Sequence, residues 1–200
     1  MKVADAELVA IAGSRGGFPA ESLPEIVLAG RSNVGKSSLI NRLTGQRVAR
    51  TGSAPGTTRS INFYRIEGSF VLVDLPGYGY AQAAKTQKQH WKRLVEDYFS
   101  TRKAVALAVH LVDARLFPTE QDLQLATWLG RYRVPRLIVA TKADKLSGNR
   151  RVVQERVLSS IFGQPVRMCS ASTGWGCREI WQQLLESAQE PHRYPADSPI

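Results

Sequence analysis

The chain has 200 residues, enough for one domain with a sizeable core, and its 43% hydrophobic and 22% charged content is ordinary for a globular protein. A net charge of +10 is not ordinary, and it points to a polyanionic partner such as nucleic acid or an acidic membrane surface. Its two cysteines, Cys169 and Cys177, form no CxxC pair and no Cys/His metal spacing, so free thiols in a reducing compartment are expected.

In chain order, "MKVADAELVAIAG" carries Asp5 and Glu7 where a signal peptide needs an unbroken apolar region, so no export is expected. Residues 1–24 read as a leader with a loop at "GSRGGFP". Strands follow at "EIVLAG", "INFYRI", "SFVLVDL", "AVALAVHLVD", "RLIVATK" and "PVRMCSA". The second and third are joined through the tight "EGS" turn, which predicts an antiparallel hairpin. Helices are expected after Gly35, from about Gln82 to Thr101, Thr119 to Tyr132, Asn149 to Phe162, and Cys177 to Ala188. The longest apolar run, "AVALAVHLV", is about half of a membrane span and contains His110, so it reads as a buried strand. Residues 189–200 hold three prolines and little to bury, and are expected to form a mobile tail. Short apolar runs alternating with amphipathic ones predict a three-layer α/β fold: a six-stranded, mostly parallel sheet with one antiparallel strand and helices on both faces.

"GRSNVGKS", Gly30 to Ser37, follows a strand and opens a helix, the context that identifies a phosphate-binding P-loop. Gly30 and Gly35 let backbone amides turn inward, and the helix N-terminus adds partial positive charge. Lys36 reaches the β- and γ-phosphates of a nucleotide, and the Ser37 hydroxyl ligates Mg²⁺. Asp74, at the end of "FVLVD", is placed to hold the magnesium through water, and Gly77 to offer its N–H to a γ-phosphate. Between these motifs, "SAPGTTRSINFY" supplies Thr57 and Thr58, either of which could complete the magnesium shell.

"TKAD", Thr141 to Asp144, ends a later strand, where open α/β sheets bind ligands. A carboxylate at Asp144 can accept both hydrogen bonds from the guanine N1–H and amino group, which adenine cannot supply together. The Lys142 stem can cover the ring, and "CSAS", Cys169 to Ser172, can supply a backbone amide to guanine O6.

Together these are the five motifs of a Ras-like, translation-factor-related GTPase. More closely, "AGRSNVGKSSLIN", "PGTTRSINFY", "LVDLPGYGYA", "HWKRLVEDYF", "VDAR" and "ATKADKL" resemble the EngB (YihA/YsxC) family of bacterial GTPases, over roughly Glu25 to Ala188. The resemblance implies a G domain over 25–188 and slow GTP hydrolysis. It further implies a role in assembly of the large (50S) ribosomal subunit, with rRNA and ribosomal proteins of its precursor as partners, and in normal cell division and septation. A cytoplasmic monomer is expected. GTP or GDP would be held by Gly30, Arg31, Ser32, Asn33, Val34, Gly35, Lys36, Ser37 and Ser38 of the first motif. Gly56, Thr57, Thr58, Arg59 and Ser60 would serve from the second, and Asp74, Leu75, Pro76 and Gly77 from the third. The base would meet Thr141, Lys142, Ala143 and Asp144 with Cys169, Ser170 and Ala171. Ser37 and Thr58 would ligate the metal, Thr58 because it stands four residues before Asn62, although Thr57 and Arg59 depart from the family's usual residues there. Lys36, Thr58 and Gly77 would act in hydrolysis.

Tyr78 stands where Ras-like proteins carry a water-orienting glutamine, which implies a slow intrinsic rate. Asn33 either tolerates a left-handed backbone or, as in some GTPases with asparagine at this position, helps hold a potassium ion. Basic residues recur at Lys85, Lys88 and Lys92, in "RYR" at 131–133 and in "NRR" at 149–151, and with the net charge they point to ribosomal RNA. The alternative is a GTP-gated RNA- or protein-binding module whose turnover is incidental.

Overall fold

In a computed structural model of the chain, residues 4–20, 22–51, 60–79 and 85–190 are described. Seven strands form one sheet: β1 (Ala6–Ala12), β2 (Glu25–Gly30), β3 (Ile61–Ile66), β4 (Phe70–Asp74), β5 (Val105–Asp113), β6 (Arg136–Thr141) and β7 (Val166–Met168). Their order is β1-β3-β4-β2-β5-β6-β7. Only β3 runs against the others, pairing antiparallel with both β1 and β4. The β3–β4 hairpin turns through Glu67 and Gly68, both at positive φ (47° and 64°), and closes with the Ser69 N–H on the Ile66 carbonyl at 2.8 Å.

All six expected strands are present, and a seventh comes from the segment read as a leader. β1 covers the outer edge of β3, whose backbone groups it satisfies, with a register shift between Leu8 and Ala10. Its apolar pattern misleads because it is an edge strand: Leu8 and Ile11 point to solvent.

Among the described residues, five helices flank the sheet: α1 (Lys36–Thr44), α2 (Lys85–Thr101), α3 (Glu120–Arg131), α4 (Gly148–Phe162) and α5 (Cys177–Gln189). The central strands β2, β4 and β5 are buried on both faces and sort their side chains by the period of two. From β2, Ile26 and Leu28 meet Leu39, Ile40 and Leu43 of α1 and Ile180 and Leu184 of α5. Val27 and Ala29 face the other layer, with Leu94, Val95, Tyr98 and Phe99 of α2 and Leu125 and Leu129 of α3. α4 packs Leu158 against Val112, Ile138, Ala140 and Val166. At the base of the sheet, Glu25 is fully buried and accepts hydrogen bonds from Tyr98 Oη (2.6 Å) and Arg102 Nε (2.9 Å).

Both cysteines are free and buried. Among the described residues, no helix is long and apolar enough to cross a membrane.

Candidate nucleotide site

The parallel strands β2, β4, β5, β6 and β7 end on the same side of the sheet, so loops far apart in sequence converge there. β2 runs into the P-loop. Gly35 takes φ 110°, a left-handed conformation that β-carbon-bearing residues resist, and α1 begins at Lys36. Asn33 also has positive φ (61°), which asparagine tolerates better than most residues. The Lys36 side chain is buried, 8% exposed, at the mouth of this loop.

Asp74 ends β4 beside Leu28 of β2 and is 1% exposed. Burial pushes its pKa up to about 6, against the pull of the Lys36 charge and the Ser37 hydroxyl bonded to it. Its Oδ1 is buried with no hydrogen-bond partner among the described residues. A buried, unsatisfied carboxylate oxygen beside a serine hydroxyl and the P-loop lysine is the donor set a magnesium–phosphate group requires. The residues fit the ion.

Gly77 follows on the same segment. A β-carbon there would lie 2.9 Å from Ser32 Cα and N and 3.1 Å from Lys36 Nζ, so only glycine permits this approach to the P-loop. The segment is fastened to the loop by the Ser32 N–H, which donates to the Tyr78 carbonyl at 2.8 Å. Ser60 is described and half-buried, whereas Gly56, Thr57, Thr58 and Arg59 lie outside the described residues.

The base corner is built from β6 and β7. Thr141 is buried and donates to the Val34 carbonyl at 2.6 Å. Lys142, at φ 61°, extends its ammonium to the Asn33 carbonyl (2.7 Å) and to Asp113 Oδ2 (3.0 Å). The Ala143 N–H donates to the Cys169 carbonyl at 3.0 Å. Asp144 is held below the usual carboxylate range first by the Ser170 hydroxyl. Ser170 is itself fully buried, and its hydroxyl lies 2.9 Å from that of Ser172. The predicted residues of "TKAD" and "CSAS" therefore meet in one corner.

Three residues without an assigned role in the sequence belong to this assembly. Asp113 ends β5 opposite Thr141. Burial works upward on its carboxyl, yet hydrogen bonds from Arg115 and Lys142 take it down to about 2. Its signal was available, an aspartate closing an apolar strand just as Asp74 does. Arg42 of α1 clamps the base loop through the carbonyls of Ala171 and Ser172, both at 2.5 Å. Asp122 receives the phenol of Tyr78 at 2.6 Å, and no local pattern announces that pairing.

Of the basic residues singled out in the sequence, the side chains of Lys85 and Lys88 lie outside the described ones. Lys92 is exposed and lies 3.7 Å from Glu96 on its own helix. Tyr132 of "RYR" packs with Phe99 and Trp128, whereas Arg151 of "NRR" sits over the ring of half-exposed Trp175 at 5.0 Å.

A family model described as a 50S ribosome-binding GTPase matches residues 25–142. The probable GTP-binding protein EngB of Oceanobacillus iheyensis is 48% identical over 189 residues, covering 92% of this chain and 97% of that protein. The probable GTP-binding protein EngB of Pelotomaculum thermopropionicum is 44% identical, with 92% and 96% covered. Among solved structures, a probable GTP-binding protein engB superposes with a TM-score of 0.68 at 26% identity, covering 83% of this chain and 99% of that one. The FeoB G-domain from Methanococcus jannaschii gives 0.55 at 26%, covering 83% and 97%. Because the family match spans more than half of the chain and the identity extends over nearly its full length, the chain belongs to the EngB family of the 50S ribosome-binding GTPases.

Proposed function

We propose that this protein binds GTP and GDP with Mg²⁺ and hydrolyses GTP slowly by itself. We also propose that it acts as a cytoplasmic monomer in assembly of the large ribosomal subunit, through which it serves normal division and septation. Residues 25–188 form its G domain in this reading. The observation that carries it is the joining of two half-sites: Lys142, beside Asp144 in the guanine corner, is bonded to Asn33 of the loop that presents Lys36.

The division of labour follows from the chemistry. Asp144 accepts the guanine N1–H and amino hydrogens, with Lys142 along the ring and the Ser170–Ala171 turn at O6. Lys36 and the P-loop amides neutralise and orient the phosphates, and the Gly77 N–H faces the γ-phosphate. Ser37 holds magnesium directly and Asp74 through water, with Thr58 completing the shell. Magnesium held there would supply positive charge to offset the charge that builds on the phosphates. Potassium beside Asn33 belongs to the same reading, and single-turnover rates in matched KCl and NaCl test it.

The decisive experiment is phosphate release from GTP with and without large-subunit particles, alongside GTP and ATP affinities. Expected are slow release alone, faster release with particles, and strong preference for GTP; equal ATP binding overturns the assignment. One observation favours the alternative of a gated binding module. Tyr78 is turned to Asp122, so the residue after Gly77 offers no amide to a water. Release that stays unstimulated, with co-sedimentation that differs between GDP and a non-hydrolysable GTP analogue, supports that module.

A further inference from the structure

The segment after Asp74 is tied at three independent points. The Ser32 N–H donates to the Tyr78 carbonyl (2.8 Å), Trp91 Nε1 donates to the Pro76 carbonyl (2.6 Å), and Tyr78 Oη donates to Asp122 Oδ1 (2.6 Å). The first two are backbone attachments on either side of Gly77. The third is a side chain reaching 44 residues along the chain to the start of α3.

Asp122 is a rigid post. It is 3% exposed, and its Oδ2 accepts both the N–H (2.7 Å) and the hydroxyl (2.6 Å) of Thr119, whose side chain in turn caps α3. This reciprocal capping box fixes the carboxylate whether or not Tyr78 is present. The bond from Tyr78 is thus a short bond to a fixed carboxyl group in a partly buried setting. His110 lies behind it, fully buried, with Nε2 3.5 Å from the phenol oxygen. Burial lowers its pKa to about 4, so the ring is neutral and can present an N–H to that oxygen while the phenol O–H donates to Asp122. Trp91 completes the enclosure, edge-on to Tyr78 at 6.3 Å between centroids.

We infer that Tyr78 is a positioning residue for GTP: its bond to Asp122 holds Gly77 beside Lys36 before the nucleotide arrives. Gly77 is covalently adjacent to the tethered residue, and a β-carbon on it would lie only 2.9 Å from Ser32 and 3.1 Å from Lys36 Nζ. Outward movement of Gly77 pulls against the Tyr78–Asp122 bond. The γ-phosphate corner is therefore pre-organised, and GTP does not bear the cost of ordering it. GDP has no γ-phosphate to meet Gly77, so the tether discriminates between the two nucleotides, as a conformational bias must. The same geometry assigns a purpose to the tyrosine in place of an amide: it spends its polar group on the scaffold instead of on water. This inference rests on the functional reading above.

The test uses the full chain, with Tyr78→Phe removing only the phenol oxygen and Trp91→Phe removing only the second anchor. Affinities for GDP and a non-hydrolysable GTP analogue are measured with magnesium by displacement of a fluorescent nucleotide, together with melting temperature in nucleotide-free buffer. Tyr78→Phe is expected to weaken the GTP analogue about tenfold while GDP stays within about twofold. Trp91→Phe is expected to move the ratio in the same direction. An unchanged ratio in both variants, or equal losses for GDP and the analogue, would overturn the proposal, because a merely structural tyrosine weakens both alike. Tighter analogue binding would also overturn it, showing that the tether opposes the GTP state. Wild-type protein that prefers neither guanine nucleotide to ATP would instead sink the functional reading on which the tether depends.

Discussion

The Lys142 ammonium stands 2.7 Å from the Asn33 carbonyl, so a residue of the base corner fastens the phosphate loop. The same ammonium pairs with Asp113 at 3.0 Å, which anchors both to the end of β5. Lys142→Ala should therefore weaken GDP and GTP together, by about tenfold or more, since it removes the ammonium that ties the Asn33 carbonyl to Asp113 and loosens the loop both nucleotides use. Titration calorimetry with each nucleotide checks this; a loss confined to GTP would show that the lysine serves the γ-phosphate alone.

Asp144→Asn should reduce GTP affinity by about 1–3 kcal/mol, because an amide presents one acceptor and one donor where guanine offers two donors. The same variant should gain affinity for xanthine nucleotides, whose C2 oxygen accepts the new amide hydrogens. Competition between GTP and XTP on one sample reads both changes, and an unaltered preference would remove Asp144 from the base.

Asp74 predicts a pH dependence with a definite sign. Its pKa in the fold, about 6, lies above the ordinary 3.8, so the folded chain holds the proton more tightly than the unfolded one. That contribution is complete below pH 3.8 and is lost as pH rises through 6. At pH 8 the nucleotide-free fold then carries a penalty on the order of 3 kcal/mol. Asp74→Asn should melt roughly 6–12 °C above wild type at pH 8 without ligand, and the difference should vanish toward pH 4. Adding magnesium and GDP should stabilise wild type more than the variant. Parallel melting curves in pH and ligand would contradict the assignment.

Arg102→Ala should act on the fold and not on the nucleotide. It strips a guanidinium from fully buried Glu25, leaving the Tyr98 hydroxyl as the remaining partner shown, and should cost about 3–5 kcal/mol in urea unfolding. Nucleotide affinity of the folded fraction should hold within about twofold, since Glu25 lies at the opposite end of β2 from the P-loop.

Residues contiguous in the chain carried their own meaning. "GRSNVGKS" folds on itself between a strand and a helix, so its conformation and its charge are set within eight neighbours, and β2 and β3 fall on the predicted residues. The apolar faces of α2 and α5 were legible for the same reason, since helical period alone puts Leu94, Val95, Tyr98 and Phe99, or Ile180 and Leu184, on one side. Contacts between strand ends were not legible, because sheet order and register decide them. Asp113 meets Lys142 only because β5 and β6 pair Asp113 with Thr141, and Arg42 grips Ala171 from 129 residues away. β1 is not legible in its own residues, because an edge strand is defined by the partner it covers and not by its exposed Leu8 and Ile11. Tyr78 gives the sharpest contrast: its sequence position says only that an amide is missing, and the packing of α3 against the sheet decides that its hydroxyl belongs to Asp122.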